Sequence, residues 1–449
     1  MSFTGFSASH TLPFHRDVVW QWHSRPGAVV RLTPPFLPMR PVSQARSLRG
    51  GTTVFSLPAG QRWVAEHQVD GYVTGERFVD EAANQPVKAA TRWRHTHTFA
   101  DVSTGGEPAT RITDEVATTI PAFALRPAFA YRQHQLFEDL RFLASLPAAE
   151  PLTIAITGAS GLVGTHLSAQ LTTAGHRVIG LTRGEAGPGE RHWDPEDPAA
   201  DLLEGVDAVA HLAGESIMGR FTDEKKRKIR DSRVEPTRKL ARLAADSGVE
   251  TFVCASAVGY YGTDAGDHPR TEADGPGKGF LAEVCAEWED ASRVEGLRTV
   301  NIRTGLALSG AGGLLPVLEA TVRAGLGARF GSGDFWMSWV ALDDLTDLYA
   351  RSLLDASVSG PVNATASHPV TNAEMSSTLA AMLHRPDFLP IPTFGPKLLL
   401  GAEGAEELAL ANQRVAAAEA EHRGWRFRYP TLHAALAHEL GKERLMADR

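Results

Sequence analysis

The chain has 449 residues, 43% hydrophobic and 22% charged, with a formal net charge of −8. That length exceeds what one hydrophobic core usually supports, so at least two domains are expected; the acidic balance excludes the broad basic face that a nucleic-acid partner requires. The two cysteines, Cys254 and Cys285, lack metal-ligand spacing; with no basic-then-apolar leader and no run near eighteen apolar residues, a reduced, cytoplasmic protein without a membrane span is expected.

Residues 1–147 carry no nucleotide motif. Phe3 to Phe14 reads as a strand and Arg16 to His23 as a short helix, with Pro34-Pro35 interrupting. Period-2 segments follow at hairpin spacing: Thr52 to Leu57, Arg62 to Val69, Tyr72 to Val79, Thr91 to Val102 and Thr110 to Ile120. Alternation puts Trp93, His95, His97 and Phe99 on one face of a strand. Two histidines there are a metal-ligand pair or the lining of a cavity; with no third ligand placed by the sequence, no metal is assigned. A helix from Ala128 to Leu146, with Phe129, Leu136, Leu140 and Leu143 at helical spacing, closes the segment. A strand, short helices, antiparallel strands and a long final helix is the order of an α+β helix-grip fold. In that order, and in the stretches His97-Thr-Phe99 and Thr110-Arg-Ile-Thr-Asp-Glu115, residues 1–147 resemble the START-like, polyketide-cyclase-type superfamily. The resemblance implies a cavity for an apolar ligand between sheet and helix.

Pro147 to Pro151 reads as a short stiff linker. Immediately after it, Leu152 to Ile156 is a β-branched, apolar run suited to a parallel strand buried on both faces. A glycine-punctuated turn, Gly158-Ala-Ser160-Gly161-Leu162-Val163-Gly164, then opens a helical pattern that continues through Leu167 and Leu171 to a terminating Gly175. Arg177 to Thr182 is a second strand. Gly158 permits the tight turn, Gly161 lets a pyrophosphate approach the backbone at the helix N-terminus, and Gly164 lets the helix lie close on the strand. The Gly-x-x-Gly-x-x-Gly spacing is looser than the usual dinucleotide fingerprint, and the complete β-turn-α-β context carries the assignment.

Thr182 and Arg183 follow the second strand, where an NAD site usually has an acidic residue. A guanidinium there pairs with a 2′-phosphate, so NADP is the expected cofactor; the alternative is an arginine pointing to solvent. Asp207 to Glu215 reads as a strand followed by the small-residue turn Leu212-Ala213-Gly214-Glu215. A single polar helix is expected from Asp223 to Ser247, carrying Lys228 and Arg233, with Lys225 to Lys228 as a solvated face. Strand Thr251 to Ser256 leads into Tyr260-Tyr261-Gly262, Thr299 to Ala307 is another buried strand, and Gly331 to Leu345 is a loop entering a helix. No internal repeat or low-complexity tract is found.

In order along the chain, the stretches ITGASGLVG, LTR, HLAGESI, SAVGYYG, IRTGLALSGAGG, GSGDFWMSWV and GWRFRYPTLHAALAHEL resemble the extended short-chain dehydrogenase/reductases, and within them the family labelled "epimerase family protein". The resemblance covers residues 152–449 and implies a Rossmann-type doubly wound parallel sheet with a small C-terminal lobe from about residue 364. It implies that NADP is bound by Gly158, Ser160, Gly161, Leu162, Val163 and Gly164, by Thr182 and Arg183, by Leu212, Ala213, Gly214 and Glu215, and by Arg233, with Ala307 near the nicotinamide end. Trp336, Trp339 and Gly310 to Gly313 would lie on the substrate side.

Most members of that wider superfamily move a proton with Tyr-x-x-x-Lys and a serine. None of the six tyrosines, at 72, 131, 260, 261, 349 and 429, has a lysine four residues on; the corresponding helix start carries Phe280 and Val284. Ser256 and Tyr260 are left as candidate catalytic residues, Tyr260 either transferring a proton or serving packing and ribose hydrogen bonding, with Glu215 as a substitute base. A phenol without a neighbouring ammonium, near its reference pKa of about 10, is a slow proton carrier at neutral pH. Three functions remain open: an NADP-dependent oxidoreductase acting on a small, hydrophobic or carbonyl substrate, a catalytically silent NADP(H) sensor, and a nucleotide-sugar epimerase. Nothing in the sequence sets the oligomeric state.

Overall fold

The protein is described from a computed structural model, which covers residues 4–147, 150–264, 266, 268–387, 389–392 and 394–447. The chain divides into two compact units. One comprises Met1–Ser145, Ala169–Gly175 and Ala437–Arg449, the other Leu146–Ser168 and His176–Leu436. Within the expected linker, Ala148 and Ala149 lie outside the described residues.

The first unit runs β1 (Thr4–Leu12), α1 (Arg16–Ser24), α2 (Ala28–Arg31), β2 (Arg40–Ser43), β3 (Thr52–Ser56), β4 (Arg62–His67), β5 (Arg77–Ala82), α3 (Val87–Thr91), β6 (Arg94–Asp101), β7 (Thr110–Thr118) and α4 (Ala122–Ala144). Its seven strands form one antiparallel sheet in the order β1-β7-β6-β5-β4-β3-β2. Leu136 and Leu140 of α4 pack with Phe78, Phe99 and Ile112 from the sheet and with Val19 and Trp22 of α1; Phe129 packs with Phe6 and Val116. Burying such aliphatic and aromatic side chains stabilises by roughly 1.5–3 kcal/mol each.

Two local expectations are corrected. Residues 72–76 form a turn rather than strand, because Val73 and Arg77 exchange backbone hydrogen bonds of 2.8 and 2.9 Å across it; β5 therefore starts at Arg77, not Tyr72. Helix α4 begins at Ala122, six residues before the expected start, and runs through Pro127. The carbonyl that loses its partner to that proline is Phe123's, and Phe123 is 76% exposed, where water can replace the missing donor. The short elements β2, α2 and α3 have no periodicity long enough to read.

The second unit runs β8 (Thr153–Thr157), the first part of α5 (Leu162–Ala174, of which the residues from Ala169 group with the first unit), β9 (Arg177–Thr182), β10 (Glu190–His192), β11 (Ala208–His211), α6 (Asp223–Asp231), α7 (Val234–Asp246), β12 (Thr251–Ala257), α8 (Phe280–Ala291), β13 (Arg298–Thr304) and β14 (Leu306–Ser309). It continues through β15 (Gly312–Gly313), α9 (Leu315–Arg323), β16 (Trp336–Met337), β17 (Trp339–Ala341), α10 (Leu342–Leu354) and β18 (Gly360–Ala364). Further helices lie at Asn372–Met382, Phe394–Gly404, Ala418–His422 and Leu432–Glu439. The main sheet has seven parallel strands ordered β10-β9-β8-β11-β12-β13-β18. That is the doubly wound Rossmann order, whose direction reverses between β8 and β11, where ligands of such sheets bind.

The expected helix from 223 to 247 is two helices, α6 and α7, broken at Ser232 and Arg233. Pro236 explains the break: lacking an N–H it cannot continue α6 but fits the first turn of α7. The expected strand from 299 to 307 is likewise divided at Gly305, so that Ala307 belongs to β14, paired with β17 rather than with the main sheet. A side chain at Gly305 would meet the Ser338 carbonyl oxygen at 2.5 Å, so only glycine lets the two segments approach there.

The glycine loop joins β8 to α5. Gly158 sits at φ +67°, a region that favours glycine. A Cβ on Gly164 would overlap the carbonyl oxygen of Gly158 and lie 2.8 Å from the Cα of Ala159. Because both neighbours are backbone, Gly164→Ala should force α5 away from β8 and lower stability by about 1–3 kcal/mol. Urea melts compared with a Gly275→Ala control, an exposed position without a positive φ where a Cβ meets nothing within 4 Å, check this; equal stability of the two variants would contradict it.

Candidate functional site

The C-terminal ends of β8, β9 and β11 frame a cleft of about 690 Å³, within the range of small-molecule sites. Its lining unites Gly158, Ser160 and Gly161 with Thr182 and Arg183 and with Leu212, Ala213, Gly214 and Glu215. Lys228, Asp231 and Ser232, around the end of α6, also line it; the expected unbroken helix hid the turn that brings them there. Leu162, Val163 and Gly164 are the first residues of α5, whose first-turn N–H groups have no acceptor inside the helix. A dinucleotide's diphosphate fits this loop, since Gly158, Ser160 and Gly161 line the cleft and the helix terminus favours negative charge.

The turn after β11 is held from below. Thr157 Oγ1 accepts the backbone N–H groups of Leu212 and Ala213 at 3.0 and 3.1 Å and lies 2.8 Å from His211 Nδ1. With both lone pairs used, that hydroxyl donates to Nδ1, so the imidazole carries its proton on Nε2, 2.9 Å from Thr237 Oγ1. His211 is fully buried. Burial, aided by the charge of Arg233, pushes its pKa down to about 3, so it is a neutral strut.

Arg233 is not part of the cleft lining. It donates to the carbonyl oxygens of Ile229 and Glu215 at 3.0 and 2.9 Å and lies over the Trp288 ring, bracing the Gly214-Glu215 backbone. Arg183 is exposed, and among the described residues its guanidinium makes no hydrogen bond or ion pair, leaving it available at the cleft. The Glu215 carboxylate pairs with Lys225 at 3.0 Å, which holds it below the usual carboxylate range and makes it a weaker base. Ala307 lies outside this cleft, in β14.

Ser256 ends in a buried network. Its hydroxyl donates to Glu289 Oε1 at 2.7 Å, and Glu289 takes both ends of the Arg303 guanidinium at 2.8 Å. Arg303 Nη1 donates to the Tyr261 hydroxyl, which donates to Asn363 Oδ1, each at 2.8 Å. Burial pushes the Tyr261 phenol up to about 12, and the Arg303 guanidinium lies 3.6 Å from the ring centre of Tyr260. The one proton of Ser256 is thus directed at a carboxylate, and the arginine lies over the face of Tyr260.

At the start of α8, where the superfamily tyrosine would fall, Phe280 stands instead. The N–H groups of Phe280 and Leu281 are capped by the Glu407 carboxylate at 2.8 and 2.7 Å, and Lys226 Nζ lies 5.0 Å over the Phe280 ring. Trp339, expected on the substrate side, is fully buried with its indole N–H on the His368 carbonyl oxygen; it is core. Trp336 is half-buried under Arg414.

The first unit has its own cavity, of about 380 Å³, between the sheet and α4. Leu37, Phe55, Leu57, Phe78 and Leu125 supply apolar walls, and Asp80, His95 and His97 also line it. Antiparallel register sets Asp80 opposite His95 and Asp114 opposite His97. Sequence spacing places neither carboxylate, because both come from neighbouring strands.

The profile of the NAD dependent epimerase/dehydratase family matches residues 154–364, and that of a domain of unknown function, DUF1731, matches 391–439. An epimerase family protein of Mycobacterium bovis is 41% identical over 292 residues, 64% of this chain and 96% of the relative. A crystal structure described as the nucleoside-diphosphate sugar epimerase from Corynebacterium glutamicum superposes with a TM-score of 0.87 at 50% identity, covering 98% of this chain and 91% of that one. The human epimerase family protein SDR39U1 (isoform 2), solved with NADPH, aligns with a TM-score of 0.60 at 29% identity, covering 64% of this chain and 99% of that one. Among the described residues no helix is long and apolar enough to cross a membrane.

A pH dependence follows from His211. Its folded pKa of about 3 lies below the ordinary 6.5, so the unfolded chain binds the extra proton between those values; stability present above 6.5 is lost as pH falls toward 3. In urea melts, the stability gap between the wild type and His211→Gln should narrow from about pH 7.5 to about pH 5, over which a free histidine titrates. A gap independent of pH would contradict a neutral, buried His211.

Proposed function

Since the chain belongs to the NAD dependent epimerase/dehydratase family, we propose that it is an NADP-dependent oxidoreductase acting on a small carbonyl or alcohol substrate. The observation that carries this is the convergence on one cleft of the glycine loop, the Thr182-Arg183 pair and the Leu212–Glu215 turn. In this reading the loop and the first turn of α5 grip the diphosphate, Arg183 receives the 2′-phosphate, and Arg233 fixes the backbone beside the adenosine. The nicotinamide, when bound, supplies the hydride chemistry. Ala307 lies toward that end, and Ser256 and Tyr260 orient the substrate and handle its proton. The first unit is a START-like domain whose cavity takes an apolar ligand, and the protein works in the cytoplasm. NADPH in the human relative supports the choice of cofactor.

A second reading, a nucleotide sensor without turnover, is favoured by the commitment of the Ser256 proton to Glu289 and by Phe280 at the tyrosine position. The two separate experimentally. An oxidoreductase oxidises NADPH in a carbonyl screen, and Tyr260→Phe lowers that rate by about 10²-fold or more, the usual weight of a positioned proton donor. Intact NADPH binding with no turnover across the screen would leave the sensor.

Cofactor choice is tested apart from turnover. One charge-assisted contact is worth roughly 1.5–3 kcal/mol, so Arg183→Ala should weaken NADPH by about ten- to a hundredfold while leaving NADH nearly unchanged. Equal losses for both nucleotides, measured by fluorescence titration, would remove Arg183 from the 2′-phosphate.

A further inference from the structure

At the floor of the first unit's cavity, two histidines and two aspartates meet. Asp114 Oδ1 lies 2.8 Å from His95 Nε2 and 3.0 Å from His97 Nδ1. The other nitrogen of each ring, His95 Nδ1 and His97 Nε2, faces Asp80 Oδ2 at 3.4 and 3.3 Å. Both rings are buried, and their centres are 3.7 Å apart.

A donor count leaves a gap in this arrangement. Asp114 is acceptor-only, so each neutral imidazole turns its single N–H toward it. His95 Nδ1 and His97 Nε2 then present lone pairs, as does Asp80 Oδ2, and three electron-rich atoms face one another out of water. A single added proton, on His97, would let Nε2 donate to Asp80 Oδ2 and still leave the His95 Nδ1 lone pair facing that oxygen at 3.4 Å. One divalent cation would satisfy all three atoms, which lie within 4.8 Å of one another. Zinc bonds of about 2.0–2.2 Å at tetrahedral angles hold ligand atoms about 3.3–3.5 Å apart, the separation found on both Asp80 edges. The outer contacts match as well: Asp114 receives the far N–H of both rings, and the Trp93 indole donates to the other Asp80 oxygen at 2.9 Å, the carboxylate–histidine support that orients metal ligands.

We propose that Asp80, His95 and His97 bind one zinc-class divalent ion, with its fourth position open to the cavity. Asp80 Oδ2, His95 Nδ1 and His97 Nε2 are the ligands, Asp114 and Trp93 the positioning residues. Three protein ligands and one open position are the arrangement of a Lewis-acid centre; among apolar walls it suits a molecule with an apolar body and one oxygen function. The inference concerns the first unit alone and does not rest on the nucleotide cleft.

The test uses the full chain, stripped with a chelator and titrated with Co²⁺ alone. Tetrahedral Co²⁺ absorbs visible light strongly, whereas octahedral Co²⁺ on scattered surface histidines absorbs weakly. One equivalent of the strong absorption is expected, displaced by one equivalent of Zn²⁺. Asp80→Asn, which keeps the side-chain shape, should abolish it, and Trp93→Phe should weaken binding by about ten- to a hundredfold. Absence of the tetrahedral spectrum in the wild type, or its persistence in Asp80→Asn, would overturn the proposal; the wild-type titration decides even if a variant fails to fold.

Discussion

The second unit depends on one close approach. Helix α5 can start directly above the end of β8 only because Gly164 has no side chain to strike the Gly158 carbonyl. That contact aims the helix N-terminus at the cleft and brings its unpaired first-turn N–H groups to where the sheet order reverses. Thr157, one residue before the loop, extends the same constraint sideways: its hydroxyl holds the Leu212 and Ala213 amides, and His211 holds the hydroxyl. The loop, the β11 turn and the buried imidazole therefore form one rigid support.

The proton chemistry is arranged differently. Where the sequence resemblance leads one to expect a tyrosine and a lysine the chain carries Phe280 and Val284, and that helix end is capped by Glu407. Ser256 remains at the strand end, but its proton goes to Glu289, which is bound by Arg303. Breaking a buried ion pair of this kind typically costs about 3–5 kcal/mol, because one charge is left uncompensated. The serine hydroxyl is thus held in place by a buried network, and Tyr260, stacked under the same arginine, is the phenol beside it.

Much of this was legible in the residues. The glycine loop, the Arg177–Thr182 strand and the helix-ending Gly175 follow from local chemistry, namely a positive φ, a period and a cap. The strand face shared by His95, His97 and Phe99 is legible for the same reason, since alternation is a local property. Hidden were the features set by pairing between distant segments. Asp80 and Asp114 reach the histidines through cross-strand register, and Ser256 meets Glu289 through the packing of α8 on β12. The break between α6 and α7 was readable in principle from Pro236, but the charge pattern runs smoothly across it.

In the proposed function, main-chain amides at the start of α5 hold a diphosphate while Arg183 selects a phosphorylated adenosine. Calorimetric titration of the full chain with 2′-phospho-ADP-ribose, which carries both phosphate groups and no nicotinamide, tests it most directly. Saturable one-to-one uptake that blocks subsequent NADPH binding is expected. No heat from this fragment, with none from NADPH or NADH either, would contradict it.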